Sequence, residues 1–251
     1  MINQICLVTD NKLLSNDTFL LSVEFPEKPM PGQFVMIHPA DGRHDPFLPR
    51  PISVFDWESG ILRLLIKIVG KGTELLSTIT PPKSVRIVGH IGNRFPDCDG
   101  TLLLIGGGIG IAPLFYTAKM STAKEKHFIL GFRNKESVVL IDEFSKIGKV
   151  TVTTDDGSYG FHGFPHQALL KMIDEKECDF SMLLTCGPIP MMSALHVAAE
   201  DGKIENYHSL ESRMGCGIGA CLGCRVELPG GSFLVCKEGP VFEGKKIFSP
   251  N

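Results

Sequence analysis

The sequence predicts a multi-domain α+β chain in three parts: an N-terminal antiparallel β-barrel, a middle α/β nucleotide-binding domain with a parallel sheet, and a small C-terminal cysteine-rich module. Short β-type runs broken by proline and glycine fill the first third, strand-like and helical patterns alternate in the middle, and four cysteines gather near the end. With 251 residues the chain is long enough for this arrangement. We place the three parts at residues 1–98, 99–205 and 206–251.

Composition narrows the class of protein and its partners. The net charge is −3 and no basic stripe is visible, so we expect no nucleic-acid partner. The first residues lack the basic and apolar segments of a secretory signal, and no apolar run reaches the ~18 residues that span a bilayer. We therefore expect a cytoplasmic protein with no membrane partner, whose cysteines are reduced or bind a metal.

Two stretches of the barrel region are candidate anion sites. In Arg50–Ser53, the arginine offers a planar fork of donors suited to a phosphate, and Ser53 adds a hydroxyl. Gly70–Thr73 is a glycine turn before a helix predicted over 72–79 with Thr73 as N-cap, where free N–H groups favour anions. Taken alone, each stretch is better explained by its structural alternative, which is a proline turn at a strand edge for the first and a capped helix for the second.

The middle third contains a buried strand, a glycine loop and a helix, which is the context of a dinucleotide phosphate site. Pro113 stands where the usual fingerprint has a third small residue, and the next strand ends in Arg133 rather than an acid. The residues therefore leave open both the choice between NAD and NADP and a plain strand–helix turn without ligand. The glycines of the loop are Gly106, Gly107, Gly108 and Gly110.

Two further loops follow strands of the same predicted parallel sheet. They are the acidic loop 155–158 and the turn Cys186–Pro188. Because ligands bind beyond the carboxyl ends of parallel strands, we expect both loops to share one crevice with the glycine loop. A buried core thiol is the alternative interpretation of Cys186.

The cysteine-rich module carries the most specific motif of the chain. Four cysteines stand in the pattern C-x4-C-x2-C…C, which is the ligand spacing of a plant-type [2Fe–2S] cluster: Cys216, Cys221, Cys224 and Cys236. Glycines between them allow sharp turns that aim backbone N–H groups at sulfur. A structural zinc, which usually takes its cysteines as two close pairs, and a disulfide framework are the alternatives.

The glycine loop and the cysteine motif together indicate that a third redox group is needed. Nicotinamide exchanges two electrons as a hydride and a cluster exchanges one, so a flavin, which does both, is expected between them. The eight histidines are scattered, and we find no Ser-His-Asp or paired-carboxylate arrangement. We therefore assign no catalytic acid or base and expect a partner subunit to transform the organic substrate.

Together the motifs resemble the ferredoxin–NADP reductase superfamily, in which 50–53 and 70–73 look like flavin loops, and 106–113 and 186–188 like nicotinamide loops. The cysteine pattern within 209–242 resembles more closely the electron-transfer subunits of class 1B dihydroorotate dehydrogenases. That resemblance implies FAD, a [2Fe–2S] cluster and NAD. It also implies an FMN-containing catalytic subunit, in a heterotetramer of two plus two, that oxidises dihydroorotate in pyrimidine synthesis.

The resemblance also assigns residues to each cofactor. FAD is expected at Arg50, Pro51, Ile52, Ser53, Leu65, Ile66, Lys67, Gly72 and Thr73. NAD is expected at Gly107, Gly108, Gly110, Cys186 and Gly187, and the cluster on the four cysteines of the motif. Lys67 departs from the arginine of some relatives. The competing hypotheses are the small reductase subunit of another NAD(P)H-linked iron–sulfur flavoprotein complex and a zinc-stabilised interaction module.

Overall fold

A computed structural model describes residues 2–39, 45–176 and 178–248. The first part is a curled antiparallel sheet of β1 (Ile2–Ser15), β2 (Thr18–Glu24), β3 (Phe34–Pro39), β4 (Arg50–Ser53), β5 (Asp56–Glu58), β6 (Ile61–Lys67) and β7 (Ser84–Ile91). Its strand order is β4-β3-β7-β1-β2-β6-β5. Alternate side chains such as Phe19, Leu21 and Ile37 fill the inside of the curl. The predicted antiparallel barrel is confirmed.

Helix α1 (Lys71–Ser77) follows β6 and packs against β3, and its start corrects the predicted cap. The N-cap is Gly70, three residues before the predicted cap Thr73. The Thr73 hydroxyl oxygen instead accepts hydrogen bonds from the N–H groups of Val69 (2.9 Å) and Gly70 (3.3 Å). The helix begins earlier because the threonine side chain folds back over the first turn and satisfies the groups that precede it.

The middle part is an α/β domain. Its elements are β8 (Thr101–Gly107), a 3₁₀ turn (Gly108–Ile111), α2 (Ala112–Met120), β9 (Glu125–Phe132), a second 3₁₀ turn (Lys135–Ser137), α3 (Ile141–Ser145), β10 (Lys149–Thr154), β11 (Phe161–His162), α4 (Pro165–Asp174), β12 (Met182–Cys186), α5 (Ile189–Asp201) and β13 (Glu205–Ser209). Strands β11-β10-β9-β8-β12-β13 pair in parallel in that order. Leu102 to Ile105 of β8 are fully buried because helices cover both faces of the sheet.

The C-terminal part returns to this sheet. A hairpin of β14 (Arg225–Leu228) and β15 (Gly231–Leu234) is followed by β16 (Val241–Glu243) and α6 (Gly244–Phe248). Strand β16 pairs antiparallel with β13 and closes the sheet edge. Strand β13 itself lies across the predicted boundary at 205/206. The boundaries 1–98, 99–205 and 206–251 stay predictions, and their outermost residues, 1 and 249–251, lie outside the described part.

A network of ion pairs around one buried carboxylate joins the barrel to the α/β domain. Asp56 of β5 is fully buried and accepts from Arg63 of the barrel (2.6 Å) and from Lys119 of α2 (3.0 Å). Beside it, Phe55 stacks on Phe115 of α2 with ring centroids 4.6 Å apart. These contacts set how the two parts face each other. Across the described ranges, no helix is both long and apolar enough to cross a bilayer.

Candidate functional site

A cavity of about 630 Å³, here called the barrel cavity, opens between β4, β6 and α1. Eight of the nine residues predicted to hold a flavin line this cavity. They are Arg50, Pro51, Ile52, Ser53, Leu65, Ile66, Lys67 and Thr73. Strands β4 and β6 are not neighbours in the sheet order, so the curl of the sheet is what brings these residues together.

The ninth residue, Gly72, contributes by having no side chain. A Cβ atom at Gly72 would overlap the guanidinium of Arg50, which lies directly against the first turn of α1. Arg50 also donates to the carbonyl oxygen of Leu48. The glycine therefore lets a cation and free helix N–H groups meet at one rim of the barrel cavity, which suits a phosphate.

Lys67 has a protein partner in the barrel. Its Nζ atom lies 3.1 Å from the carboxylate of Asp17, a residue that sequence reasoning did not select. Partial desolvation opposes ionisation, but hydrogen bonding to Lys67 and Thr18 prevails and lowers the pKa of Asp17. The ion pair orients the lysine along the cavity wall.

A second cavity of about 580 Å³, here called the sheet cavity, lies at the carboxyl ends of the parallel strands. The glycine loop lines it with Gly107, Gly108 and Gly110. Asp155 follows β10 and Gly187 follows β12 on the same wall. The three loops therefore share one crevice, as their positions after strands predict.

Cys186 lies behind the wall of the sheet cavity rather than on it. Its side chain is 1% exposed, and a Cβ atom at Gly110 would overlap its carbonyl oxygen. Burial, with a smaller contribution from the negative charge of Glu211, raises the pKa of the Cys186 thiol well above its usual range. Cys186 is a neutral thiol that supports the glycine loop through its backbone.

The two cavities share part of their walls. Leu65, Lys67, Ile109 and Glu211 line both of them. Glu211 is exposed to the open cleft, yet desolvation by the surrounding protein raises the pKa of its carboxyl. Ligands in the two cavities would therefore lie side by side, with Glu211 at their junction.

The cysteine loop, residues 214–236, has an inner and an outer pair of thiols. Cys224 and Cys236 are buried with their sulfurs 3.2 Å apart. They pack with Phe34 and Met36 of the barrel. Cys216 is half-buried and Cys221 is exposed, so one edge of the loop faces outward.

Backbone N–H groups point at the outer sulfurs. Cys216 Sγ accepts from the N–H groups of Ile218 and Cys221, both at 3.4 Å, and Cys221 Sγ accepts from that of Gly223 at 3.5 Å. Partial desolvation opposes these bonds, but they prevail and lower the pKa of Cys216 to about 7. Four converging cysteines with N–H groups aimed at sulfur fit the ligand set of an iron–sulfur cluster.

The cysteine loop also borders the barrel cavity. Met214 and Phe34 line that cavity, and both belong to the apolar group that packs on Cys224 and Cys236. Sequence reasoning did not select Phe34, Met214 or Glu211, because their roles depend on contacts between distant parts of the chain.

Comparison with known proteins agrees with this geometry. Residues 211–248 match the iron–sulfur cluster binding domain of dihydroorotate dehydrogenase B, and residues 104–196 match the oxidoreductase NAD-binding domain. The dihydroorotate dehydrogenase B (NAD(+)) electron transfer subunit of Caldanaerobacter subterraneus subsp. tengcongensis is 37% identical, with 96% of each chain covered. That of Geobacillus kaustophilus is 36% identical over the same shares.

The chain belongs to the family of dihydroorotate dehydrogenase B electron transfer subunits. A solved NADH-dependent reduced ferredoxin–NADP oxidoreductase, described in a study of flavin-based electron bifurcation, superposes with a TM-score of 0.87. It is 29% identical, and the match covers 97% of this chain and 90% of that one. The ferredoxin reductase of carbazole 1,9a-dioxygenase, with a TM-score of 0.65 and 20% identity, shares the fold over 81% of this chain and 66% of its own.

Family membership settles the broad predictions. The predicted family, fold class and oxidoreductase class are confirmed, as is the cofactor set of a flavin, an iron–sulfur cluster and NAD. An electron transfer subunit also implies a catalytic partner subunit. The zinc-stabilised interaction module is not supported. The assignments of individual residues to cofactors stay predictions.

Proposed function

We propose that this chain carries electrons from an FMN-containing catalytic subunit, which oxidises dihydroorotate to orotate in pyrimidine synthesis, to NAD⁺. Electrons enter at the cysteine loop and leave at the sheet cavity. One observation carries the proposal: the barrel cavity shares wall residues with the sheet cavity and also borders Met214 of the cysteine loop. Three neighbouring sites in this order form a short route for electrons.

The barrel cavity is the proposed site of FAD. When bound, FAD exchanges electrons singly or in pairs, which joins one-electron and hydride chemistry. Arg50 supplies donors for a phosphate, Ser53 adds a hydroxyl at the end of β4, and Gly72 keeps space for the arginine. Thr73 holds the turn before α1, and Lys67 is oriented by Asp17.

The sheet cavity is the proposed site of NAD. Gly107, Gly108 and Gly110 let the backbone approach a pyrophosphate closely at the start of the helical segment. Gly187 lies beside Gly107 on the same wall, and Cys186 holds the packing of the glycine loop from behind. Cys186 is thus a positioning residue in this proposal.

The cysteine loop is the proposed cluster site, with Cys216, Cys221, Cys224 and Cys236 as ligands. Backbone N–H groups stabilise the negative charge of the outer sulfurs. Because Cys221 is exposed, the catalytic subunit docks over this edge in the proposal, where the path for an electron is shortest. The proposed assembly is a cytoplasmic heterotetramer of two subunits of each kind.

The test is reconstitution with and without the partner. The purified chain should show flavin and iron–sulfur absorption and should reduce an artificial acceptor with NADH, but should not oxidise dihydroorotate. Adding the FMN-containing catalytic subunit should produce dihydroorotate-dependent NADH formation and a complex with the mass of two plus two. Substantial dihydroorotate oxidation by this chain alone would refute the proposal.

A second candidate is the small reductase subunit of another NAD(P)H-linked iron–sulfur flavoprotein complex. The solved oxidoreductase that is 29% identical over 97% of this chain favours it, because the same build there belongs to a different enzyme. The two candidates differ in the partner. Affinity purification from the native cell that recovers a different oxidoreductase, and no dihydroorotate dehydrogenase, would favour the second candidate.

A further inference from the structure

A second group of side chains of the types that bind metals lies at the amino end of β9, at the other end of the strand from the sheet cavity. Glu125 and His127 stand two residues apart at the start of β9, so their side chains project from the same face of the strand. Cys178, from the connection between α4 and β12, lies over that face. One ligand atom from each of the three lies within 4.8 Å of the other two.

Two of the three spacings between these atoms match a tetrahedral zinc site, and the third, between the Glu125 oxygen and Cys178 Sγ, is within 4.8 Å. His127 Nε2 lies 3.3 Å from a Glu125 carboxylate oxygen and 3.8 Å from Cys178 Sγ. Zinc bonds of ~2.0 Å to nitrogen and oxygen and ~2.3 Å to sulfur give tetrahedral edges of about 3.3 Å between N and O and about 3.5 Å between N and S. The observed pairs depart from these edges by only a few tenths of an ångström.

The imidazole is already held in a fixed orientation. The ring of Phe180 packs edge-on against His127, with centroids 5.4 Å apart and an interplanar angle of 81°. The His127 side chain is 12% exposed and Cys178 is half-buried, while Glu125 is 55% exposed. The site is therefore pre-formed on its protein side and open to solvent on the carboxylate side, where water would complete the coordination.

We propose that Glu125, His127 and Cys178 form a binding site for Zn²⁺. A thiolate, an imidazole and a carboxylate are ligands that zinc accepts together, whereas Mg²⁺ and Ca²⁺ prefer oxygen alone. The site is separated from the sheet cavity by the length of β9, which is about 23 Å at ~3.3 Å per residue. It is therefore separate from the electron route. Bound zinc ties the connection before β12 to β9.

Lys149 is the main competitor for the carboxylate. Its Nζ atom lies 3.3 Å from the same Glu125 oxygen that faces His127. Its side chain is 73% exposed, and such an exposed ion pair is worth ~1 kcal/mol or less. The lysine can therefore turn away at little cost when a dication binds.

The test uses the holoprotein with its flavin and cluster, titrated with ZnSO₄ by calorimetry in a buffer that does not chelate zinc. We expect one saturable site in the parent protein. Because loss of even an outer-shell partner weakens metal sites about 10–100-fold, Cys178→Ser and Glu125→Gln should each weaken binding at least about tenfold. Zinc should also raise the midpoint of thermal unfolding of the parent protein and leave that of Cys178→Ser unchanged.

Two control variants separate the site from other causes. Lys149→Ala removes the ion pair and keeps all three ligands, so zinc should bind equally well or more tightly. Cys98→Ser removes a buried thiol elsewhere and should bind zinc like the parent protein. Unchanged flavin content and circular dichroism confirm that each variant is folded.

X-ray absorption at the zinc edge identifies the ligands without interference from iron. We expect one sulfur at ~2.3 Å with nitrogen and oxygen at ~2.0 Å. Four sulfurs, which indicate zinc on the cysteine loop, would overturn the proposal. So would the absence of binding, or an affinity that changes less than tenfold in both Cys178→Ser and Glu125→Gln.

Discussion

Cys186 and Cys216 were both selected from sequence as site residues, and their surroundings give them opposite properties. Cys186 is enclosed behind the sheet cavity near Glu211, and burial raises its pKa well above the usual range. Cys216 lies in the cysteine loop, where N–H groups outweigh desolvation and lower its pKa to about 7. The comparison shows that burial keeps one thiol neutral, whereas N–H groups aimed at sulfur favour the thiolate form of the other.

Glycine produces both environments by different means. At the sheet cavity, the missing Cβ of Gly110 lets two backbone segments touch. In the cysteine loop, Gly217 and Gly219 take positive φ angles of 70° and 81°. These turns direct the chain around the sulfurs, a conformation that residues with a Cβ rarely adopt.

The largest effect is expected from removing an inner cysteine of the loop. Cys236→Ser should abolish the iron–sulfur absorption and reduce dihydroorotate-dependent NADH formation with the catalytic subunit at least about 100-fold, since it removes a ligand itself. NADH reduction of an artificial acceptor should persist, because the cavities remain. Cys98→Ser should keep both activities. Normal dihydroorotate-dependent NADH formation by Cys236→Ser would contradict the assigned ligand set.

A smaller effect is expected at the glycine loop. In Gly110→Ala the new methyl group meets the rigid backbone at Cys186, so the loop must shift. We expect a loss of ~1–3 kcal/mol in unfolding free energy, as for overpacked sites, and a KM for NADH raised about tenfold. Denaturant unfolding and steady-state kinetics measure the two. An unchanged KM would mean that this loop does not contact the nucleotide.

The barrel cavity offers a matched pair of variants. Gly72→Ala places a methyl group on the mobile guanidinium of Arg50, which can move without unfolding the barrel. Binding of FAD should weaken about tenfold, or ~1.4 kcal/mol, with little change in stability. Gly70→Ala, whose methyl group meets no atom within 4 Å, should bind FAD normally. If a binding titration gives Gly72→Ala and Gly70→Ala the same FAD affinity, Gly72 is not part of the FAD site.

The contrast between the two thiols predicts a pH dependence in the cluster-free protein. With a pKa of about 7, Cys216 is already half ionised at pH 7, so its alkylation rate should rise less than ~twofold up to pH 8.5. A thiol with the usual value of ~8.5 gains about 15-fold over that interval. Cys186 should stay unlabelled. Mass spectrometry of labelled peptides measures both, and a steep rise at Cys216 would contradict its lowered pKa.

Motifs with a direct chemical meaning could be predicted well from sequence. Ligand spacing marks the cysteine loop, and Arg50–Ser53 lies in the barrel cavity as expected. Cys186 was placed in the correct turn, but its side chain points behind the wall, since packing against α/β neighbours decides that direction. The predicted cap of α1 is wrong because Thr73 is the third residue of the helix, where its hydroxyl accepts from the N–H groups of Val69 and Gly70 ahead of the helix.

Long-range contacts account for what was missed. Glu211 joins the cavities because β13 ends beside β12, and no local pattern indicates that pairing. Strand β16 has three residues, too few for an alternating pattern to be recognised. The partnership of Asp17 with Lys67 depends on the register between β2 and β6, which turns and propensities alone do not determine.

The pairing of β16 with β13 matters to anyone who wants to transplant the electron-transfer module. Strand β13 precedes the cysteine loop and β16 follows it, so both ends of the loop are anchored in the sheet that forms the sheet cavity. A truncation at 205 would strip β13 from β12 and leave Met182–Cys186 as a bare apolar edge, a template for aggregation. A working chimera must therefore carry β13, the loop and β16 as a single graft.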